Sequence, residues 1–589
     1  MTVSAYIVIA VIAFLIVTLY YDLMRPVLVF FAAALIFLVS GIIETKDMMH
    51  GFANEQIAVV ILLLLLSDII QKTSVMDVAF RNVFHTGLSY RGFLARMSGM
   101  VSSVSAFVNN TPLVAIMMPY VYDWARKKGI SPSKVLIPLS YATILGGTIT
   151  LVGTSTNLVV NGFATDAGLP SLKMFDFSPV GIPLTITGIL FLVFIGPRLL
   201  PDRKDALSSF KEKSREYIVE TMVNKGSRLI GKTVEEAGLR KLQGLFLVEI
   251  VRGDQRFAPV SPKQSISEND ILIFAGQTDT ILELLKSNTG LSLPKYSLLP
   301  GKESLEVVEV VISTNSDLIG KQVKDTNFRG KYDAAIIAIN RNGERVTGKI
   351  GEMELESGDL LLLLAGTDFQ NRASDEQDFY LISMVKQIHN ISALKVAVLF
   401  GGTIAAFVLA AMGVTTLFVA LLVLFCIIAA FRLVKYQEIK KGFDFDLYLI
   451  LVLSLSLGKA ITASGLDKIL ASAIIDWVAP LNSHIAVLAL VYLFTNVLAM
   501  LVTNKAAVAI MFPVALAASK VIGVDPTPFV LAIAFAGSAE FMTPYGYQTN
   551  LMVYGPGGYK FKDYIRIGWG LSLVYMIVCV SILSYIYKL

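Results

Sequence analysis

Asn110-Thr111-Pro112-Leu113-Val114-Ala115-Ile116-Met117-Met118-Pro119 returns as Asn504-Lys505-Ala506-Ala507-Val508-Ala509-Ile510-Met511-Phe512-Pro513. A second pair follows each copy: Thr156-Asn157-Leu158-Val159-Val160-Asn161-Gly162, then Thr549-Asn550-Leu551-Met552-Val553-Tyr554-Gly555. The interval from the first asparagine to the second is 47 residues in one half and 46 in the other. Two matched motifs at matched spacing are hard to obtain by chance. The chain therefore carries an internal repeat, and the polar residues in it sit inside long apolar runs.

Those runs are Val3–Leu19, Pro26–Ile43, 56–71, 97–119, 135–162 and 178–199, then 391–411, 413–431, 446–464, 484–518, 528–555 and 565–587. Most approach the twenty or so residues that cross a hydrocarbon core of about 30 Å. No small-residue cleavage site separates the first two, so an anchored first helix is expected rather than a removed signal. Charge is unevenly spread. Residues 201–390 hold 25 basic and 28 acidic side chains, leaving 25 and 17 for the other 399 positions. A polytopic membrane protein with a water-soluble block in its middle follows. A secreted disulfide scaffold, a disordered chain and a nucleic-acid binder are disfavoured, because the net charge is only +5 and the excess base lies beside apolar spans. Cys426 and Cys579 both sit in apolar runs and read as small hydrophobes.

Loop charges set the orientation. Lys72, Arg81, Arg91 and Arg96 share one connection, and Arg126, Lys127, Lys128 and Lys134 another. Arg432, Lys435, Lys440 and Lys441 form a third cluster, and Lys560, Lys562 and Arg566 a fourth. Placing all four with the soluble block in the cytoplasm satisfies the positive-inside rule. The stretches 97–119 and 484–518 must then enter and leave on one side, as re-entrant hairpins. The two halves take opposite orientations, an inverted repeat of the kind many secondary transporters use. Residues 201–390 are cytoplasmic and both termini lie outside the cell membrane.

The fold class expected is an α-helical polytopic membrane protein with an inverted repeat and two re-entrant hairpins, plus a soluble α+β insert of two tandem small domains. The first membrane repeat covers 1–200, the insert domains 201–295 and 296–390, and the second repeat 391–589. Irregular backbone at membrane depth survives only where it is buried in protein or lines a wet cavity. Gly153-Thr154-Ser155-Thr156-Asn157 and Thr543-Pro544-Tyr545-Gly546-Tyr547-Gln548-Thr549-Asn550 both read as helix breaks. A break frees carbonyls for a cation and exposes helix N-termini to an anion. The hairpin tips Asn109-Asn110-Thr111 and Thr503-Asn504 add short amide and hydroxyl donors. The candidate anion-binding residues are Asn109, Asn110, Thr111, Thr156, Asn157, Thr503, Asn504, Thr549 and Asn550. The bland alternative is that small polar residues only glue packed helices together.

The tip motifs and the Gly153-Thr154-Ser155-Thr156-Asn157-Leu158 break resemble the divalent anion–sodium symporter family of the ion transporter superfamily. So do Gly51-Phe52-Ala53-Asn54 and Tyr545-Gly546-Tyr547-Gln548-Thr549-Asn550 with Gly555-Pro556-Gly557-Gly558-Tyr559. The resemblance covers both membrane halves. It implies a homodimeric elevator in lipid, with a fixed scaffold and a moving part that holds both hairpins and both broken helices. The family's Ser-Asn-Thr signature falls on Asn109, Asn110 and Thr111, and on Thr503, Asn504 and Lys505. One sodium site is implied at Asn109, Asn110, Gly153 and Thr154, and a second at Thr503, Asn504 and Thr543, with the anion between the tips. Lys505 departs from the pattern, and Glu540 is unusual beside a break. Intramembrane ions are costly and normally paired or functional. The expectation is that Lys505 supplies the positive charge of the second sodium, with Glu540 as its partner or as a proton carrier. A purely structural Lys505–Glu540 pair is the alternative.

The insert reads as short apolar strands broken by turns. Ser227-Arg228-Leu229-Ile230-Gly231-Lys232-Thr233-Val234 returns as Ser316-Asp317-Leu318-Ile319-Gly320-Lys321-Gln322-Val323, a period of 89. Each copy closes on an acidic turn and a buried strand, Glu268-Asn269-Asp270 leading to Gly276, then Glu356-Ser357-Gly358-Asp359 leading to Ala365-Gly366. Arg341-Asn342-Gly343-Glu344 is a hairpin turn. The pair resembles tandem C-terminal regulator-of-potassium-conductance domains. Such domains pair with one another and in some proteins bind small ligands, cyclic dinucleotides included, so a nucleotide-like regulatory ligand is implied by the resemblance. No Gly-x-Gly-x-x-Gly and no phosphate loop occurs, so ATP-driven transport has no support.

The reading is therefore a transporter of a small anion, sulfate favoured, coupled to sodium or protons, with a di- or tricarboxylate as the close alternative. Neither tip carries an Arg to clamp a carboxylate bidentately. An anion-sensing receptor is the rival of another class. A potassium channel needs a Thr-Val-Gly-Tyr-Gly filter, which Pro544-Tyr545-Gly546-Tyr547-Gln548 matches only superficially. An enzyme is not expected. His50, His85, His389 and His484 are scattered without metal spacing. No covalent cofactor is expected, and a sodium ion is expected at one site.

Overall fold

Each repeat motif opens a helix. The computed structural model describes residues 2–21, 23–71, 88–203, 218–239, 245–253, 255–257, 260–276, 291–292, 306–313, 316–341, 344–346, 350–365, 369, 372–373, 378–381, 397–431, 434, 443, 445–481 and 483–589. The chain begins with α1 (Val3–Tyr20) and α2 (Pro26–Val39), apolar throughout. Next, α3 (Thr45–His50) and α4 (Glu55–Gln71) meet at a 40° bend. The bend has a local cause. Asn54 is extended, and its side-chain oxygen accepts from the N–H groups of Gln56 and Ile57, starting α4 afresh.

Then α5 (Tyr90–Ser105) turns back through residues 106–109 into α6 (Asn110–Lys127). After it come α7 (Leu136–Gly147), an irregular stretch, α8 (Ser155–Asp166), α9 (Ser178–Phe194) and the short α10 (Gly196–Leu199). The sequence motif places the first break slightly too late. Residues 148–154 are irregular, whereas Ser155, Thr156 and Asn157 already form the first turn of α8. The Thr148 hydroxyl donates to the Leu145 carbonyl where α7 ends, and the Thr150 hydroxyl ties the irregular stretch to the Ala106 carbonyl in the turn after α5.

Past the strands and the small helix α11 (Phe328–Tyr332), the second half repeats the order. It runs α12 (Gly402–Ala411), α13 (Leu417–Ala430), α14 (Phe445–Ala463) and α15 (Leu466–Val478). A hairpin of α16 (His484–Leu501) and α17 (Asn504–Val521) follows, then α18 (Thr527–Ser538), irregular residues 539–547, α19 (Gln548–Tyr554) and α20 (Phe561–Tyr587). Here too the break starts earlier than Thr543, and Gln548, Thr549 and Asn550 are helical. Pro119 and Pro513 stand at matched interior positions of α6 and α17. Among the described residues α1, α14, α16, α17 and α20 are long and apolar enough to cross a membrane, with the bent α3–α4 pair as a sixth. α2, α9, α13 and α18 are apolar but under 18 residues.

The halves interlock. α8 packs on α17 and α18, α19 packs on α6 and α7, and α9 packs on α20, around one continuous apolar core. The intervening residues form two antiparallel sheets of one topology. The first takes β1 (Ile218–Val223), β2 (Leu245–Arg252), β3 (Gln255–Phe257), β4 (Ile271–Gly276) and β5 (Leu291–Ser292) in the order β3-β2-β4-β1-β5. The second takes β6 (Glu306–Ile312), β7 (Ala334–Arg341), β8 (Glu344–Arg345), β9 (Leu360–Ala365) and β10 (Phe379–Leu381) in the order β10-β6-β9-β7-β8, the same pattern read backwards. The 89-residue period survives in fine detail. Strand irregularities fall at Leu247/Glu249 and at Ile336/Ala338. Arg252 holds Asp270 and the Ser265 carbonyl, while Arg341 holds Asp359 and the Glu354 carbonyl. Strands β7 and β8 pair as the hairpin reading requires, although its turn residues Asn342 and Gly343 lie outside the described residues. So do Gly366, the cations Lys72, Arg81, Arg432, Lys435, Lys440 and Lys441, and the histidines His85 and His389.

Candidate functional site

Asn110 is the first residue of α6 and is 1% exposed. Its position depends on Gly147 at the end of α7, where a Cβ would stand 2.8 Å from the Asn110 Oδ1 and 3.2 Å from the Gly153 carbonyl. The first tip and the first break thus pack on one glycine. Ser105 donates to Asn110 Oδ1 at 2.5 Å. The Asn110 amide donates at 2.5 Å to the hydroxyl of Tyr547, which also bonds Thr154 Oγ1 at 3.2 Å. Thr111 donates to Gln548 Oε1 at 2.9 Å. Asn109 is the N-cap residue of α6, partly exposed. With Gly153 and Ser155 it lines one side of a cavity of about 630 Å³, whose other walls include Leu64, Phe107 and Phe407.

In the second half, Thr503 caps α17 by accepting from the Ala506 N–H at 3.3 Å, and Asn504 and Lys505 form the first turn, all three half-buried. The Asn504 carbonyl and the Thr156 methyl both lie within 4 Å of where Gly537 would carry a Cβ, which sets the second tip beside the first broken helix. Glu540 is fully buried. Neither of its carboxylate oxygens has a hydrogen-bond partner, and it lies close enough to Lys505 for the charges to interact. The same carboxylate and the Thr543 hydroxyl face Gly546. Thr549 and Asn550 accept from Ser140 at 2.9 and 2.7 Å, so the second broken helix is fastened to α7.

Two hydrogen bonds recur at equivalent positions. Asn157 donates to the carbonyl seven residues before it, Thr150, at 2.8 Å, and Asn550 to its own seventh predecessor, Thr543, at 3.1 Å. Ser102, eight residues before Asn110, donates to the Ala142 carbonyl at 2.7 Å. Asn496, eight before Asn504, donates to the Ala536 carbonyl at 3.0 Å. The copies also differ. Asn550 uses its whole amide, adding a 2.8 Å bond to the Glu540 carbonyl, whereas the Asn157 Oδ1 is buried without a partner.

The predicted residues gather in two neighbourhoods that meet at Gly546 and Tyr547. Asn110, Thr111, Gly153 and Thr154 meet around Tyr547 and Gln548, while Asn504, Lys505, Glu540 and Thr543 sit by the second break. Sequence reading missed Tyr547 and Gln548 as site residues, although both stand in the quoted second-break motif. Ser105, at the end of α5, and Ser140, inside α7, carried only the weak signal of small polar residues in long apolar runs. Among the described residues no group of three or more His, Cys, Asp or Glu is placed to hold a metal ion.

A family model described as citrate transporter matches residues 6–413 and 404–589. The chain is 33% identical over 568 residues to a protein of Chlamydomonas reinhardtii named as a sulfur deprivation response regulator, covering 94% of this chain and 96% of that one. It is 32% identical over 567 residues to an uncharacterized transporter of Synechocystis, covering 94% and 92%. Sodium/sulfate cotransporter 2 of Chlamydomonas reinhardtii is 24% identical over 741 residues, covering 91% and 84%.

Proposed function

Because this chain belongs to the citrate transporter family, we propose that it is a secondary active transporter that moves a small oxyanion, sulfate in first place, through a multi-pass membrane domain. The observation that carries the reading is the meeting of Asn110, Thr111 and Thr154 with Tyr547 and Gln548 from the other half. These are neutral hydroxyls and amides beside helix N-termini, the donor set that takes up an oxyanion without a fixed counter-charge. Relatives named sodium/sulfate cotransporters favour sulfate. The family description keeps a di- or tricarboxylate as the alternative substrate.

The matched hydrogen bonds support an inverted repeat, with α5–α6 and α16–α17 as its re-entrant hairpins and an elevator as its motion. Sodium is the coupling ion at Asn109, Asn110, Gly153 and Thr154. The unpartnered Asn157 Oδ1 beside that break is a spare buried acceptor of the kind a cation uses. At the second site, Thr503, Asn504 and Thr543, the Lys505 ammonium stands in for sodium, and Glu540 is its partner or carries a proton. Thr156, Thr549 and Asn550 hold the two broken helices around the anion. The two sheets are cytoplasmic regulator-like domains that pair across a homodimer and take a small nucleotide-like ligand.

Uptake of labelled sulfate, succinate and citrate into proteoliposomes, with and without a sodium gradient, tests the reading. Saturable, sodium-driven sulfate uptake with counterflow is expected, and Lys505→Asn should change its sodium or pH dependence. The name of the sulfur-response relative favours a second reading, an anion receptor. Anion binding without any counterflow would select it.

A further inference from the structure

One face of the second sheet is buried on the helical bundle rather than in its own core. Strand geometry alternates side chains between faces. On β6, Val308, Val310 and Ile312 point into the sheet unit's core, while Glu309 and Val311 point the other way. Val311 pairs in register with Tyr380 on β10 and with Leu360 on β9; Val311 and Leu360 belong to the core of the bundle, and the half-buried Tyr380 packs against it. Glu309, fully buried, accepts from the Tyr122 hydroxyl of α6 at 3.2 Å. The acidic turn before β9 reaches furthest. Gly358, at φ +83°, turns its carbonyl onto Gly555, where a Cβ would stand 2.7 Å from it. A Cβ on Gly358 itself would meet Leu551 Cδ1 at 3.1 Å. The equivalent row of the first sheet, Met222 and Ile271, is only half-buried.

Leu551 belongs to α19 and Gly555 follows it directly. One turn earlier stand Tyr547, Gln548, Thr549 and Asn550, which reach Asn110, Thr111, Thr154 and Ser140. We infer that the second sheet unit is a control element for the anion site: its Glu356–Leu360 turn fixes α19, and through α19 it sets anion affinity. Events at the insert reach the site through the contact of Gly358 with Leu551 and Gly555. This rests on the reading of Tyr547 and its neighbours as an anion site, and it adds Gly358 and Leu551 as positioning residues.

The full chain in proteoliposomes provides the test. Gly358→Ala adds left-handed strain and a Cβ against Leu551, and should raise the KM for labelled anion by roughly fivefold or more with the maximal rate little changed. Gly231→Ala in the first sheet unit, at φ +81° with nothing within 4 Å, brings the same strain without the contact and should leave KM alone. Adding Leu551→Ala to Gly358→Ala makes room for the new Cβ and should restore most of the KM. An unchanged KM in Gly358→Ala, an equal rise in Gly231→Ala, or no rescue by Leu551→Ala overturns the inference. Hydrogen exchange over residues 545–555 is the transport-independent arm. Faster exchange in Gly358→Ala but not in Gly231→Ala is expected whatever the transported anion, and equal exchange overturns the dock. A wild-type chain that moves no anion but shows the exchange difference would retire the transport reading and keep the dock.

Discussion

Asn157 and Asn550 occupy matched places yet are used differently, which makes their alanine substitutions a sharp comparison. Asn550 makes three side-chain hydrogen bonds, to the carbonyls of Glu540 and Thr543 and from Ser140, and is fully buried. Asn157, equally buried, makes one, to the Thr150 carbonyl, and leaves Oδ1 unpartnered. At about 0.6–1.5 kcal/mol per buried bond, Asn550→Ala should cost roughly 2–4 kcal/mol of stability and Asn157→Ala roughly 0.6–1.5. The smaller cost hides the larger functional effect. If the spare Oδ1 of Asn157 serves the coupling cation, its loss should raise the sodium concentration for half-maximal uptake by about fivefold or more. Thermal unfolding of the purified protein in detergent gives the first quantity, and sodium titration of proteoliposome uptake the second. Equal destabilisation by the two variants, or an unaltered sodium dependence in Asn157→Ala, would refute the reasoning.

Gly147→Ala should cut uptake about tenfold or more while the protein still inserts, because the added Cβ stands 2.8 Å from the Asn110 amide oxygen and the tip must move; uptake normalised to purified protein checks this. Arg341→Met leaves Asp359, 1% exposed, without its bidentate partner and should destabilise the second sheet by about 3–5 kcal/mol; Arg252→Met should do the same to the first sheet through Asp270, and only the former should alter anion KM. Burial pushes the Asp378 carboxyl up, but hydrogen bonds from Tyr332, Ser316 and Lys331 outweigh it and hold the group below its ordinary 3.8. A depressed carboxyl stabilises the fold above its unfolded value and loses that contribution as pH falls through the folded value. Protection from hydrogen exchange along β6, relative to the intrinsic rate at each pH, should therefore fall below about pH 3.8 in the natural chain, with a weaker pH dependence in Asp378→Asn.

The helical order and the two-sheet insert were legible because their signals are periodic. Apolar runs of bilayer length, two motifs spaced 47 residues apart in one half and 46 in the other, and an 89-residue repeat all survive without tertiary information. The break positions were legible only to within a few residues. Asn157 looks like a breaker by composition, yet it lies in the first turn of α8, and the interruption covers residues 148–154 before it. Tyr547 was illegible for a different reason. The motif around Tyr547 marked a helix break without saying which side chain would reach the first half, and the fold brings its hydroxyl to Asn110. The Arg252–Asp270 and Arg341–Asp359 locks did leave a trace, since both partners repeat at the 89-residue interval.

The short helix α19, with the turn before it, receives hydrogen bonds from two elements of the first half, α6 and α7. A helix of seven residues falls far below the length at which helices hold together in water on their own. The placement of α19 must come from outside it: Ser140 of α7 on one side, Asn110 and Thr111 of the first hairpin at its start, and the Gly358 turn of the second sheet at its end. A long helix keeps its form through its own hydrogen-bond ladder, whereas the placement of α19 is set by these neighbours. That makes it a poor strut and a good relay. The same property explains why an insert so far from the first tip in sequence can bear on Asn110, and why glycine is required on both sides of the Gly358–Gly555 contact. Any larger residue there would hold the turn off α19, a helix that reaches from the second half to Asn110, Thr111 and Ser140 of the first.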